Sequence, residues 1–399
     1  MSTMKRSADI QRGWQGPALL GQGFRPFFLL AAIFAALAIA IWPAFFRGEI
    51  EVPTAFVPVD WHVHEMIFGY GAAVVAGFLL TAVPNWTGRL PVAGWPLALL
   101  ATLWLAGRVA VFGSAAIGAP AAAAIDMLFL VTFAVVSARE ILAGRNWRNA
   151  KVVAVVALFA LANGGFHLEA ARAGGASVAT RAGLSIIVFL ILLIGGRIVP
   201  SFTRNWLAKR NATSLPVPFG KPDAAIMLVS AAALLLWIVQ PHAIWTGTAL
   251  VAAGMANLWR LARWNGWATR SDRLVLVLHV GFLLTSVGFL FTGAASLWPD
   301  RMPQSAALHV WAVGGIGTMT LAVMTRATLG HSGRQLVASR ATQLIYAAIL
   351  AATVLRVAAV FLPQMAMPLI DAAAAAWIAA FIGFAVAYGP MLLRLSRRT

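Results

Sequence analysis

The stretch WHVHEMIFGYGAAVVAGFLLTAV at 61–83 sets three ionisable groups, His62, His64 and Glu65, at its mouth and then runs to Val83 without another charge. An uncharged run of this length matches the ~20 residues a helix needs to cross the hydrocarbon core of a bilayer. It is continuously apolar, without the period-two alternation of a membrane β-strand, so a closed barrel is excluded. Ionisable side chains at the edge of such a span are costly to keep there, and each is a candidate functional group. Two histidines beside a glutamate narrow the chemistry to metal, haem or proton handling.

The rest of the chain has the same texture. Of 399 residues, 61% are hydrophobic and only 11% are charged, and the mean hydropathy is +0.84. A soluble domain is about a quarter charged, so composition points to an integral membrane protein. Apolar segments of roughly 16–22 residues lie near 27–46, 62–83, 95–112, 120–137, 152–171, 184–200, 224–240, 243–259, 274–292, 307–325, 343–362 and 370–392. The expected fold is all-α, a polytopic bundle of about twelve transmembrane helices. Loops are short, so residues 1–399 are expected to form one integral-membrane domain. Met1 to Pro26 is polar and basic, with nothing that reads as a cleavable signal, and is expected to be a cytoplasmic segment.

A net charge of +18 invites a nucleic-acid reading, but its distribution argues against one. With the N-terminus in the cytoplasm, the outer loops hold only Arg47, Arg172, Arg181 and Arg301, and Arg108 and Arg356 fall inside spans. The remaining 24 of the 30 Lys and Arg then lie on the inner side. That asymmetry is the positive-inside rule. It places both termini in the cytoplasm of a protein whose partner is the lipid bilayer, with no nucleic acid. The chain has no cysteine, which removes disulfides, iron–sulfur clusters, thiolate-bound haem, covalent c-type haem and thiolate copper centres. Any metal must rest on His, Met, carboxylate or backbone ligands.

A weak internal repeat runs through the chain. The second span closes on Asn85-Trp86-Thr87-Gly88-Arg89, the sixth on Asn205-Trp206-Leu207-Ala208-Lys209, and the tenth is followed by Gly330-His331-Ser332-Gly333-Arg334. Arg108-Val109-Ala110 in the third span matches Arg356-Val357-Ala358 in the eleventh. A threefold repeat of a four-helix unit would account for these matches.

Topology sorts the histidines by depth. His62, His64 and His309 begin even-numbered spans and His167 nears the end of the fifth, so all four are expected at the outer side. His279 and His331 are expected at the inner side, and His242 lies in a short outer turn. His62 and His64 stand about 200° apart around a helix, so they face different neighbours once the helix has begun, with Asp60 as its expected N-cap. The outer group His62, His64 and His309, with Arg108 and Arg356 at a similar depth, is a candidate cofactor site, and His279 with His331 is a second. His167 is a further candidate metal ligand. An intramembrane Arg needs neutralising, and Glu65, Asp126, Asp371 or a haem propionate are the candidate partners. Glu65 is open to three roles: orienting a histidine, carrying a proton, or pairing with an arginine. Met66, Met319 and Met324 are soft donors or packing residues.

Several strings carry a resemblance: GFRPFF (23–28), WHVHEM (61–66), GFLLTAVPNWTGR (77–89), GGRIVPSFTRNWL (195–207) and TMTLAVMTRATLGHSGR (318–334). With these the chain resembles, end to end, the NnrS family of twelve-span bacterial inner-membrane proteins. The resemblance implies b-type haem (heme b) and copper held by histidine. It also implies a role in nitric oxide metabolism, denitrification or resistance to nitrosative stress. Nitric oxide would be ligand or substrate, with an unknown electron donor. If the protein is an enzyme, it is an oxidoreductase acting on nitric oxide. Twelve spans with a four-helix repeat are also similar to the catalytic subunit of haem–copper oxidases, but the chain has no His-His pair in the seventh span, no His in the sixth and no His-x-His in the tenth. That likeness is fold-level only. Two other readings stay open: a secondary transporter, and a haem-based nitric oxide sensor without turnover.

Overall fold

Proline and polar caps at the ends of the apolar runs set where each helix starts and stops. Val57 is extended and Pro58 takes the first helical position, where its missing N–H costs nothing. The second span therefore begins before Asp60, which lies in the first turn and complements the helix dipole there without being the cap. At the other end Gly88 adopts a left-handed conformation, φ 70°, and its N–H returns to Pro84, closing the helix. Asp272 caps another span through Leu274 N and Val275 N.

The computed structural model describes residues 14–394, so the first half of the polar N-terminal segment expected at 1–26 lies outside the described residues. The long helices are α1 (Phe24–Phe46), α2 (Pro58–Thr87), α3 (Trp95–Phe112), α4 (Ala119–Ala143), α5 (Ala150–Ala173), α6 (Ser177–Ala208), α7 (Lys221–Val239), α8 (Ile244–Ala262), α9 (Arg273–Leu297), α10 (Gln304–His331), α11 (Arg340–Phe361) and α12 (Ala366–Leu393). Each answers to one apolar run of the sequence, and no strand occurs among the described residues. Eleven of these helices are long and apolar enough to span a membrane. The other, α8, has 19 residues, but Asn257 and Arg260 lower its hydropathy.

The chain divides into two compact units. The first comprises the described residues up to Gly183, Ala327–Arg334 and those from Ala385 onward; the second comprises Leu184–Arg326 and Gln335–Phe384. In the first unit, α1 is tied to the end of α12. Arg25 Nη1 donates to the carbonyls of Met391, Leu392 and Arg394 at 2.9–3.1 Å, satisfying acceptors a helix leaves open at its C-terminus.

Three helices carry a π-helical stretch: Glu65–Gly71 in α2, Ile191–Gly195 in α6 and Val310–Gly317 in α10. They recur every fourth helix, the interval of the sequence repeat. Widening the turn disturbs the i→i−4 ladder, so carbonyls must find other donors. The Trp104 indole donates to Gly69 O at 3.0 Å. Arg260 donates to Leu192 O at 3.3 Å and Gly196 O at 3.4 Å. Thr320 Oγ1 donates to Ile316 O and Gly317 O at 2.7 and 2.9 Å. An Arg and an Asp also stand on the two helices after each stretch: Arg108 and Asp126, Asp223 and Arg260, Arg356 and Asp371.

Candidate metal centre

In the first unit, α2 to α5 bring six polar side chains together among apolar walls. His64 ends the α-helical first turns of α2 and Glu65 opens its π stretch. Both are buried, as are Arg108 of α3 and Asp126 and Asn163 of α4 and α5. Two glycines permit this approach. A Cβ on Gly69 would stand 2.7 Å from Arg108 Nη1, and one on Gly107 would stand 2.8 Å from Asp126 Oδ1. Small residues at such crossings are what let membrane helices close on one another.

Arg108 Nη1 donates to Glu65 Oε1 at 2.5 Å, and its Nη2 donates to Asp126 Oδ1. Asp126 Oδ2 accepts from Asn163 Nδ2 at 2.8 Å and lies 3.0 Å from His167 Nε2 and 3.3 Å from His64 Nε2. His64 Nδ1 is 2.9 Å from Glu65 Oε1, and its Nε2 is 3.0 Å from Asn163 Oδ1. Because Asn163 gives its amide N–H to Asp126, only its oxygen is left for His64. Both nitrogens of His64 therefore face oxygen acceptors. A neutral imidazole has one N–H, so one of those approaches needs a further cation, a proton or a metal.

Charge counting agrees. With both imidazoles neutral, Glu65 and Asp126 bring two negative charges and Arg108 one positive charge, leaving one negative charge for a metal ion or a ring proton to balance. A net charge at membrane depth is expensive. A ring nitrogen from each of His64 and His167 and an oxygen of Asp126 lie within 4.8 Å of one another. A metal 2.0–2.2 Å from each donor would hold its ligands roughly 3–3.5 Å apart, close to the 3.0 and 3.3 Å separations from Asp126 Oδ2. The donor set of two imidazoles and a carboxylate suits copper, zinc or iron. Around it stand Phe56, Phe68 and Phe166, whose ring centroids are 5.1–5.5 Å from that of His64. Phe56 also lies 5.5 Å from His167. It is held over both rings because Ser114 Oγ accepts from Ala55 N at 2.7 Å and Ala115 N donates to Pro53 O at 3.1 Å.

The expected site residues separate accordingly. His64, Glu65, Arg108 and His167 meet in this cluster. His62 turns away, its ring 4.4 Å from that of Trp42. His331, also in the first unit, packs against Phe24 at 5.4 Å. The second unit holds the others. His309 Nδ1 donates to Ser305 O at 2.7 Å. His279 Nε2 is 2.8 Å from Thr203 Oγ1, whose proton goes to Val199 O, so the imidazole donates here. Arg356 makes no hydrogen bond or ion pair among the described residues. Met319 and Met324 are buried in packing.

Two features escaped the sequence reading. Asn163, which fixes the orientation of His64, sits four residues before His167, so the two share a helix face; a lone Asn in the apolar run of α5 was its only signal. The second is the buried pair Arg260 and Asp223, 3.0 Å apart, whose residues had been placed at span ends.

A comparison with curated proteins found no match. The profile of the NnrS protein family matches residues 18–395. The match covers nearly the whole chain, and the chain belongs to the NnrS family, membrane proteins connected with nitric oxide.

Proposed function

We propose that this is a haem- and copper-containing membrane protein that binds nitric oxide, and that His64, His167 and Asp126 hold its copper. One observation carries the reading: both nitrogens of a fully buried histidine face acceptors within 3.3 Å, a demand that a metal beside the ring meets as well as a second ring proton does, and His167 and Asp126 supply the further donors a metal needs. His64 and His167 would bind through Nε2. Asp126 would supply the third donor while Arg108 and Asn163 hold its carboxylate in place. Glu65 would orient His64 through Nδ1, the supporting role common behind metal-bound imidazoles. Phe56, Phe68 and Phe166 would keep water out and leave a wall that a small apolar gas can cross. When bound, copper and haem iron supply the one-electron chemistry and open coordination positions that nitric oxide binding or reduction requires. Haem b comes from the family resemblance, and His331, whose ring makes no hydrogen bond among the described residues, would hold it. We place both termini in the cytoplasm on the charge asymmetry, and the membrane as the bacterial inner membrane on the family resemblance.

The test is an absorption spectrum and a metal assay on the purified protein and on His64→Ala and His167→Ala. The expected wild type has a haem band and copper, and each variant still inserts and keeps the haem band but loses copper. A colourless, metal-free wild type that stays folded would overturn the proposal and leave transport as the better reading.

A further inference from the structure

Resting on the metal-centre reading, we propose that the Glu65–Arg108–Asp126 triad selects a monovalent cation, copper(I), over divalent ions at the His64–His167–Asp126 centre. Three ionised groups are buried here: Glu65 and Asp126 are 1% and 2% exposed and Arg108 is 6% exposed. The nearest further carboxylates are engaged outside the cluster. Asp60 lies in the first turn of α2, and Glu169 accepts from Val178 N and Ala179 N at 2.9 and 2.8 Å at the start of α6. With His64 and His167 neutral, as metal-bound imidazoles are, the cluster presents one net negative charge to the ion.

A monovalent ion on two neutral imidazoles and the carboxylate brings the enclosed charge to zero. A divalent ion leaves one positive charge among Phe56, Phe68, Phe166 and the apolar helix faces, where charge is poorly solvated. A hydroxide could balance it, but His64 and Asp126 are buried behind these rings. Imidazole ligands accept copper and zinc alike, so donor chemistry does not make the choice and charge does. Arg108 is the selector. Its positive charge opposes a divalent ion about twice as strongly as a monovalent one, and it touches Glu65 and Asp126 without itself being a ligand.

The experiment titrates metal-stripped, purified full-length protein with copper(I) under reducing conditions and with zinc(II). Affinities are read by competition against chelators of known strength. Wild type is expected to favour copper(I) by at least tenfold. Arg108→Gln, with two net negative charges, should shift the ratio at least tenfold toward zinc(II), and Arg108→Lys should restore it. The double variant Arg108→Gln/Glu65→Gln returns the charge to one negative and should recover the wild-type ratio, which a merely structural role for Arg108 would not allow. If Arg108→Gln does not insert, Glu65→Gln alone serves, since its neutral site should move the ratio further toward copper(I). A wild type that binds zinc(II) as tightly as copper(I), or a ratio unmoved in the single variants, overturns the selectivity. A wild type that binds neither metal overturns the metal-centre reading itself.

Discussion

Replacing Asp126 with Asn is the sharpest perturbation of the centre, because it changes charge and acceptor number while keeping size. The native carboxylate takes Arg108 on Oδ1, and Oδ2 takes Asn163 at 2.8 Å and His167 at 3.0 Å, with His64 at 3.3 Å. An amide offers one acceptor oxygen, so either Arg108 or the Asn163–His167 side must face an N–H. Removing one partner of a buried ion pair costs about 3–5 kcal/mol. Glu65 still holds Arg108 Nη1 at 2.5 Å, which places the expected loss near the lower end, about 3 kcal/mol, or roughly a hundredfold in the folding equilibrium. The same substitution removes one of three metal donors, so bound copper should be lost. Reversible unfolding in mixed micelles, followed by circular dichroism, measures the first effect, and mass-spectrometric metal analysis the second. A loss below about 1 kcal/mol, the range of an exposed pair, together with full copper occupancy, would refute the reasoning.

The other expectations concern the rest of the bundle. Arg260→Met breaks the buried pair with Asp223 and frees the Leu192 and Gly196 carbonyls, so it should destabilise by about 3–5 kcal/mol. Arg356→Met breaks no pair and should stay within about 1 kcal/mol of wild type; equal losses in the same unfolding assay would show that Arg356 is paired after all. His331→Ala should shift or remove the haem band while copper content stays at the wild-type level, and an unchanged spectrum would exclude His331 as a residue that holds the haem. A C-terminal reporter should be active only in the cytoplasm, and periplasmic activity would reverse the proposed topology.

The positions of the spans could be read from the sequence because apolar length is a local property: ~20 residues without charge become a membrane helix whatever surrounds them. All twelve apolar runs became helices on that ground, but several helices run past them, as Ser177–Ala208 does around 184–200 and Gln304–His331 around 307–325. The demand of Arg108 for a counter-ion was equally legible, since an intramembrane cation must be neutralised, and Glu65 and Asp126 were among its candidate partners. The membership of the centre was not legible. Depth in the membrane groups His62, His64, His167 and His309 together, but only the rotation and neighbours of each helix decide which rings meet. Those turned His62 toward Trp42 and joined His64 to His167 through Asp126 and Asn163, while His309 bonds the Ser305 carbonyl one turn back on its own helix. The π stretch of α2 likewise has no mark in composition. It is maintained by Trp104 on another helix, which takes the Gly69 carbonyl, a hydrogen bond that exists only once the two helices have packed.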